Sequence, residues 1–290
     1  MILVTSGTGT VGSEVVKILK SQNVPVTAAS RDPAKAMATL GVATLAWHWD
    51  RPRDFAKALT GVKTLFLCTP PGLVEEKSMG LNAVSAAKKA GVMKIVKLSA
   101  IGVEDMHESP HRQIELAIEA GPFQWVFLRP SFFMQNFNEG MAKEIDTEGR
   151  ISVPSGDGRV GFIDARDIAA VAVAAMQGDA LNKQGLTLTG SEALSMVDAA
   201  NQLGHAIGKA LRHNDLSGAD YTAMLQKAGM PRHYAEFLAT LYDQVVRKGF
   251  AATVTDNVRK ITGRDPILFK QYAKDYAWSF KGKLGAAAGV

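Results

Sequence analysis

Cysteine is almost absent from this chain. Cys68 stands alone in 290 residues, which excludes an intrachain disulfide and with it the small disulfide-framed secreted class. Long apolar runs are also missing: the longest, Ile168 to Met176, falls far short of the roughly 18 residues a membrane-crossing helix needs. Met1-Ile2-Leu3-Val4-Thr5 enters a strand pattern without the basic and apolar segments of an export signal, so a cytoplasmic chain is expected. No tyrosine precedes Tyr221, and no internal repeat marks a solenoid. The net charge of +5 comes from Lys and Arg interspersed with Asp and Glu, which argues against a nucleic-acid partner. What remains, 47% hydrophobic and 21% charged residues, is the composition of an ordinary folded protein. The length suits one large domain with a smaller one attached.

Short apolar runs alternate with helical patterns through the first half. Ile2–Thr5, Val26–Ala29, Ala43–Ala46, Thr64–Leu67, Lys94–Leu98 and Gln124–Leu128 read as strands, and Val11–Lys20, Ala34–Leu40 and Val74–Ala90 as helices. Strands this apolar, set between helices, imply a parallel sheet covered on both faces, and the right-handed crossover rule makes it doubly wound. After Pro130 helical patterns dominate, with strand candidates only at Gly161–Ile163, Leu186–Leu188 and Leu211–His213. Asp164-Ala165-Arg166-Asp167 and Ser195-Met196-Val197-Asp198 each have the form of a capping box opening a helix. The expected fold class is therefore α/β. Residues 1–130 form the sheet domain, completed by about 159–178, and 131–158 with 179–290 form a smaller, mostly helical substrate domain. Near the end, Phe269, Tyr272, Tyr276 and Phe280 recur at helical spacing beside Lys270, Lys274, Lys281 and Lys283. That stripe reads as core packing, with a membrane-surface helix as the alternative. Gly285 to Val290 reads as a frayed tail.

Gly7-Thr8-Gly9-Thr10-Val11-Gly12 is a GxGxxG directly after the first strand and at the start of the first helix. In that setting the glycines allow a tight turn, close approach of backbone to a pyrophosphate and close helix-to-strand packing, while the helix N-terminus faces the negative charge. A dinucleotide is the expected ligand and the sheet domain is of Rossmann type. An NAD-type site places an acidic residue at the end of the second strand, but here that position reads Ala29-Ser30-Arg31. Arg31, with Lys35 beyond it, offers donors to a 2′-phosphate, and Asp32 falls one place late, at the start of a helix. NADPH is expected over NADH.

The glycine loop, Ala28-Ala29-Ser30-Arg31-Asp32-Pro33, the segment Leu128-Arg129-Pro130-Ser131-Phe132-Phe133-Met134-Gln135-Asn136-Phe137, and Phe162-Ile163-Asp164-Ala165-Arg166-Asp167-Ile168 together resemble the NmrA-like atypical short-chain dehydrogenase/reductases. The resemblance covers nearly the whole chain. It extends to triphenylmethane-dye reductases, NADPH:quinone reductases and the ergot-alkaloid reductases that act on iminium ions. Cys68-Thr69-Pro70-Pro71 and Trp47-His48-Trp49-Asp50 are similar to the last group. The resemblance implies that Thr69, Pro70 and Pro71 lie along the cofactor, Ser99, Ala100 and Ile101 beside the nicotinamide, and Pro130 to Phe133 against its carboxamide. Phe133, Asn136 and Phe137 would line the substrate pocket. Two positions depart from the family pattern: Ser6 stands where a glycine is usual, and His48 where many relatives carry an acidic residue near the adenine.

Most short-chain reductases protonate their product with a Tyr-x-x-x-Lys pair. All five tyrosines here, Tyr221, Tyr234, Tyr242, Tyr272 and Tyr276, come late, and none has Lys four residues on. The corresponding helix carries His111 and Glu115 on one face, so His111 is either a proton donor or a pocket wall. His107-Glu108-Ser109-Pro110-His111 has the letters of a zinc-peptidase motif, but Pro110 disfavours helix at Ser109 and separates the two histidines, so no metal is expected. Cys68 reads as a small strand-end residue, and Trp47 with Trp49 as a core pair. The function expected is an NADPH-dependent reductase delivering hydride to a flat conjugated acceptor such as a quinone, an iminium or a dye-like cation. The alternative is a dinucleotide-binding redox sensor of NmrA type that does not turn over. Sequence alone leaves the oligomeric state open.

Overall fold

The computed structural model describes residues 1–70, 72 and 74–280. Pro71, Lys281, Lys283 and 285–290, for which expectations are given above, lie outside the described residues. Strands run at β1 (Ile2–Val4), β2 (Val26–Ser30), β3 (Ala43–Ala46), β4 (Thr64–Leu67), β5 (Lys94–Leu98), β6 (Gln124–Pro130), β7 (Arg150–Val153), β8 (Arg159–Val160), β9 (Gln184–Leu188), β10 (Leu194–Ser195) and β11 (Arg212–Asp215). The chain divides into two compact units, the first made of Met1–Pro130, Ala165–Leu188 and Asn257–Arg264. The segments that return to the first unit are thus Ala165–Leu188 and Asn257–Arg264 rather than about 159–178; the first runs on to Leu188 because β9 must reach the sheet to pair with β6.

In the first unit seven strands form one sheet in the order β3-β2-β1-β4-β5-β6-β9, and every pairing is parallel. Parallel pairing puts a helix over each crossover, so both faces are dry, and Leu3, Leu65, Phe66, Ile95, Val96 and Phe127 have no exposed surface. Among the described residues five α-helices lie between β1 and β6: α1 (Thr10–Ser21), α2 (Pro33–Leu40), α3 (Phe55–Ala58), α4 (Glu76–Lys89) and α5 (Pro110–Glu119). Helix α1 buries Val11, Val15, Val16 and Leu19, the face its spacing dictates. Helices α4 and α5 approach so closely that a Cβ on Gly80 would lie 2.2 Å from Ile114 Cδ1. Trp47 stacks on Phe55 with centroids 4.0 Å apart and Trp49 meets both rings edge-on, so the tryptophan pair belongs to the core.

The second unit comprises Ser131–Asp164, Thr189–Asp256 and the described residues from Asp265 onward. Its strands form two small pairs, β8 with β10 and β7 with β11. The strand expected at Gly161–Ile163 is instead Arg159–Val160. Gly161 N–H donates to Ala251 O (3.0 Å), and a Cβ on Gly161 would lie 2.5 Å from Thr253 O, so this stretch packs on backbone and only Ile163 forms a bridge, to Phe133. The capping box at Ser195 forms with both reciprocal bonds and opens the helix Met196–Ile207. Phe269, Tyr272 and Phe280 are buried in this unit's core, so the late aromatic stripe is packing surface. No helix among the described residues is long and apolar enough to cross a membrane.

Candidate active site

The strand order reverses between β1 and β4, and ligands of doubly wound sheets bind at the carboxyl ends of the strands at that point. The glycine loop leaves β1 there. Thr8 and Gly9 are exposed while Gly7, Val11 and Gly12 are buried, so the loop's tip is presented and its ends are anchored. A Cβ on Gly12 would lie 2.2 Å from Ser6 O, and one on Gly7 2.8 Å from Ala28 Cβ: the first keeps α1 against the loop, the second lets the loop cross β2. Helix α1 has Gly9 as its N-cap, with no side-chain cap and no acidic residue in its first turn, leaving the positive end of its dipole for an anion. These are the features a dinucleotide pyrophosphate requires.

Ser6, the departure from the family pattern, has φ of 51°, the left-handed region that favours glycine. Its hydroxyl donates to Cys68 O at 3.0 Å, tying β1 to the end of β4. Ser6→Gly removes that bond and relieves the backbone, two effects of about 1 kcal/mol each and of opposite sign. It is expected to move unfolding free energy by less than about 1 kcal/mol, whereas Ser6→Ala keeps the strain and loses the bond, costing about 1 kcal/mol. Urea unfolding of the two variants checks the difference.

At the end of β2, Arg31 is exposed, and among the described residues no carboxylate pairs with it. Asp32 caps α2, its carboxylate accepting from Lys35 N at 3.0 Å. Oδ1 of Asp32, one place beyond Arg31, is thereby engaged in capping. Lys35 is exposed one turn into the helix, and His48 is half-buried in the turn after β3.

Beyond β4 and β5 lies a buried polar cluster. Thr69 donates to Glu76 Oε1 at 2.7 Å. Lys97, fully buried on β5, places Nζ 3.0 Å from His111 Nδ1 and donates to Leu98 O at 2.9 Å. Glu76 Oε1 lies 3.5 Å from the same imidazole nitrogen. Burial pushes Lys97 down to about 8, against the opposing pull of Glu76, Glu115 and Cys68. Burial and then the Lys97 charge hold His111 well below the usual imidazole range, so it is neutral at pH 7. Glu76 is raised, by burial first, although Thr69 and Lys97 oppose this. Burial also pushes the Cys68 thiol up to about 11, which makes it a poor nucleophile.

A second cluster orders Ser99. Its hydroxyl donates to Glu115 Oε1 at 2.7 Å, and Glu115 also accepts from Arg129 at 2.8 and 3.1 Å and from Arg112 at 3.0 Å. Burial alone would raise the Glu115 carboxyl, but the bonds from Arg129 and Ser99 and the Arg129 charge hold it below the usual carboxylate range. Gly185 makes room for Arg129: a Cβ there would lie 2.6 Å from Nη1. Past β5 the chain continues beside β6, with Ser99 N bonding Leu128 O (2.7 Å) and Ile101 N bonding Pro130 O (3.0 Å). The fold thus gathers Gly7–Gly12, Arg31, Thr69, Pro70, Ser99–Ile101 and Pro130 along one sheet edge.

Phe133 and Asn136 are half-buried in the second unit, but Phe137 is 1% exposed and packs edge-on against Phe162 and Phe269, so its ring is core rather than pocket wall. All five tyrosines belong to the second unit, and burial raises the hydroxyls of Tyr221, Tyr242 and Tyr272 above their ordinary value. His107 sits in the turn before α5, as Pro110 requires, and does not share a helix face with His111. Lys97 and Glu76 were missed by sequence reasoning. The signal for Lys97 was its period-two placement between Ile95 and Ser99 on a strand covered on both faces.

The model of the NmrA-like family matches residues 1–258. An NAD(P)H azoreductase from Xenophilus azovorans is 36% identical over 288 residues, covering 97% of this chain and 99% of the relative. The triphenylmethane reductase of Citrobacter sp., solved in complex with NADP(H), superposes with a TM-score of 0.82 at 25% identity, covering 96% of this chain and 100% of the other. An NADPH-dependent quinone oxidoreductase from Escherichia coli gives 0.80 at 25% identity, covering 95% and 99%.

Proposed function

The chain belongs to the NmrA-like family, and from that premise we propose that it is an NADPH-dependent reductase of flat, conjugated acceptors: quinones, iminium ions and dye-like cations. The observation that carries this reading is a neutral, lysine-bonded imidazole, His111, beside the dinucleotide edge of a unit that contains no tyrosine. The named activities of the Xenophilus, Citrobacter and Escherichia relatives support it.

Gly7–Gly12 and the start of α1 would hold the pyrophosphate, Arg31 and Lys35 the 2′-phosphate, and Thr69, Pro70, Ser99–Ile101 and Pro130 the nicotinamide end. A bound reduced nicotinamide supplies hydride. A cationic acceptor is neutralised by hydride and needs no proton in the same step, whereas an isolated ketone becomes an alkoxide that demands an acid. With no phenol in the first unit and no imidazolium at His111, that unit's contribution is to orient a planar acceptor, which is the larger part of what such a reaction needs.

His111→Ala is accordingly expected to slow hydride transfer to a triarylmethyl cation by less than about tenfold, below the ~10²–10⁴ that general acid catalysis supplies. The comparison is made in single turnover, where product release does not mask the chemical step. A hundredfold loss in a protein that still binds NADPH would overturn the reading of His111. The function itself is tested with NADPH and a panel of a quinone, an azo dye, a triarylmethyl cation and a simple ketone. The first three are reduced and the ketone is not; equal turnover of the ketone would contradict the proposal.

A further inference from the structure

Lys97 raises a question that the cofactor edge does not answer. It has no exposed surface, sits in the middle of a parallel sheet, and turns its amine onto an imidazole and not onto a carboxylate in salt-bridge contact. We propose that Lys97 and His111 form a proton wire that completes the reduction of neutral, quinoid acceptors. This role rests on the reductase reading above and extends it from acceptors that need no proton to those that need one.

An ammonium has donors and no acceptor, so at the 3.0 Å contact His111 Nδ1 accepts and the ring proton of the neutral imidazole resides on Nε2. Among the described residues Nε2 has no partner, and the His111 side chain retains 24% of its surface. The wire therefore has a buried end, Lys97, and an open end, Nε2–H. The groups facing Lys97 are Glu76 from α4, His111 and Glu115 from α5, and Cys68 at the end of β4. Glu115 is engaged by Ser99, Arg112 and Arg129, and Glu76 Oε1 accepts from Thr69; the hydrogen bonds of the lysine go instead to His111 Nδ1 and Leu98 O. Burial brings the ammonium down to about 8, where giving up a proton near neutral pH is inexpensive.

Hydride addition reduces the quinone by two electrons and oxidises the nicotinamide. As the negative charge of a hydroquinone monoanion develops on the quinone oxygen, that oxygen takes the proton from His111 Nε2 in the same step. Nδ1 takes one from Lys97 Nζ, leaving a neutral amine and an imidazole of the opposite tautomer. A solvent proton arriving at Nε2 returns the Nδ1 proton to Lys97, so the buried amine never has to meet water. Lys97 is a positioning and proton-storing residue, acting through His111.

The test compares single-turnover reduction of a quinone and of a triarylmethyl cation by the NADPH-loaded protein, unmutated and as Lys97→Met. The ratio of the quinone rate to the cation rate is expected to fall at least about tenfold in the variant, within the range general acids supply. If the ratio holds because both rates fall together, Lys97 is only structural and the wire is wrong. Nitrogen NMR of cofactor-free protein gives a readout independent of activity. His111 should be the Nε2–H tautomer in the unmutated protein and titrate at higher pH in Lys97→Met; an Nδ1–H tautomer, or no change on substitution, overturns the wire. If Lys97→Met does not fold, the unmutated protein still decides. A solvent deuterium effect above about 2 with the quinone and near 1 with the cation is expected, and equal effects contradict it. Failure to reduce either acceptor sinks the reductase reading itself, whereas reduction of both without these signatures sinks only the wire.

Discussion

Glu115→Ala lowers the free energy of unfolding by about 3–5 kcal/mol, the cost of removing a fully buried carboxylate from two largely covered guanidinium groups. Glu115 has no exposed side-chain surface and holds two guanidinium groups at once, Arg129 at 2.8 Å and Arg112 at 3.0 Å. Without it Arg112 keeps Glu119 at 2.9 Å, but Arg129 keeps only Glu104 at 3.5 Å. Ser99 also loses the acceptor of its hydroxyl, at the edge where the nicotinamide is proposed to lie. The corresponding loss in melting temperature is roughly 6–20 °C. Glu115→Gln retains an acceptor for Ser99 without the charge and should fall between the two. Calorimetry or urea unfolding checks the series, and a loss under about 1 kcal/mol would show that the arginines find water or new partners.

Arg31→Ala weakens NADPH binding by roughly ten- to a hundredfold and spares NADH. Charge-assisted bonds to a 2′-phosphate are worth on the order of 1.5–3 kcal/mol, and each 1.4 kcal/mol is about tenfold in affinity. The structure gives this side chain no carboxylate partner to lose, so the change removes a ligand contact without disturbing the fold. Asp32 already commits Oδ1 to Lys35 N in the cap of α2, which leaves one oxygen and not the whole carboxylate for ribose hydroxyls. Fluorescence titration with both cofactors measures the effect. Equal affinities in the unmutated protein would contradict the assignment.

The sheet was legible because its strands are short apolar runs between turn residues: β3, β4 and β5 begin and end where their sequence pattern does. Strand β6 runs two residues past its expected end at Leu128. Arg129 and Pro130 pair with Thr187 and Leu188, a contact across more than fifty residues of chain that no local pattern carries. The strand expected at Gly161–Ile163 failed for the same reason, since the backbone it packs on lies ninety residues away. At the site, the glycine loop and Arg31 could be placed because their roles follow from neighbours in sequence. The Lys97–His111 and Ser99–Glu115–Arg129 clusters could not, since each joins a strand to a helix face. Phe137 was misjudged because an aromatic beside a presumed pocket and one in a core carry the same residue type, and only its contacts with Phe162 and Phe269 tell them apart.

The central claim, hydride delivery from NADPH to a conjugated acceptor, is tested most directly by isotope transfer. The protein is mixed with each C4-deuterated epimer of NADPH and a triarylmethyl cation, and the reduced product is analysed by mass spectrometry. One epimer should yield a product carrying one deuterium on the former cationic carbon, together with stoichiometric loss of the cofactor's absorbance. A protein that binds NADPH tightly yet transfers no deuterium from either epimer, to this cation or to a quinone, would be a sensor of the cofactor and not a reductase.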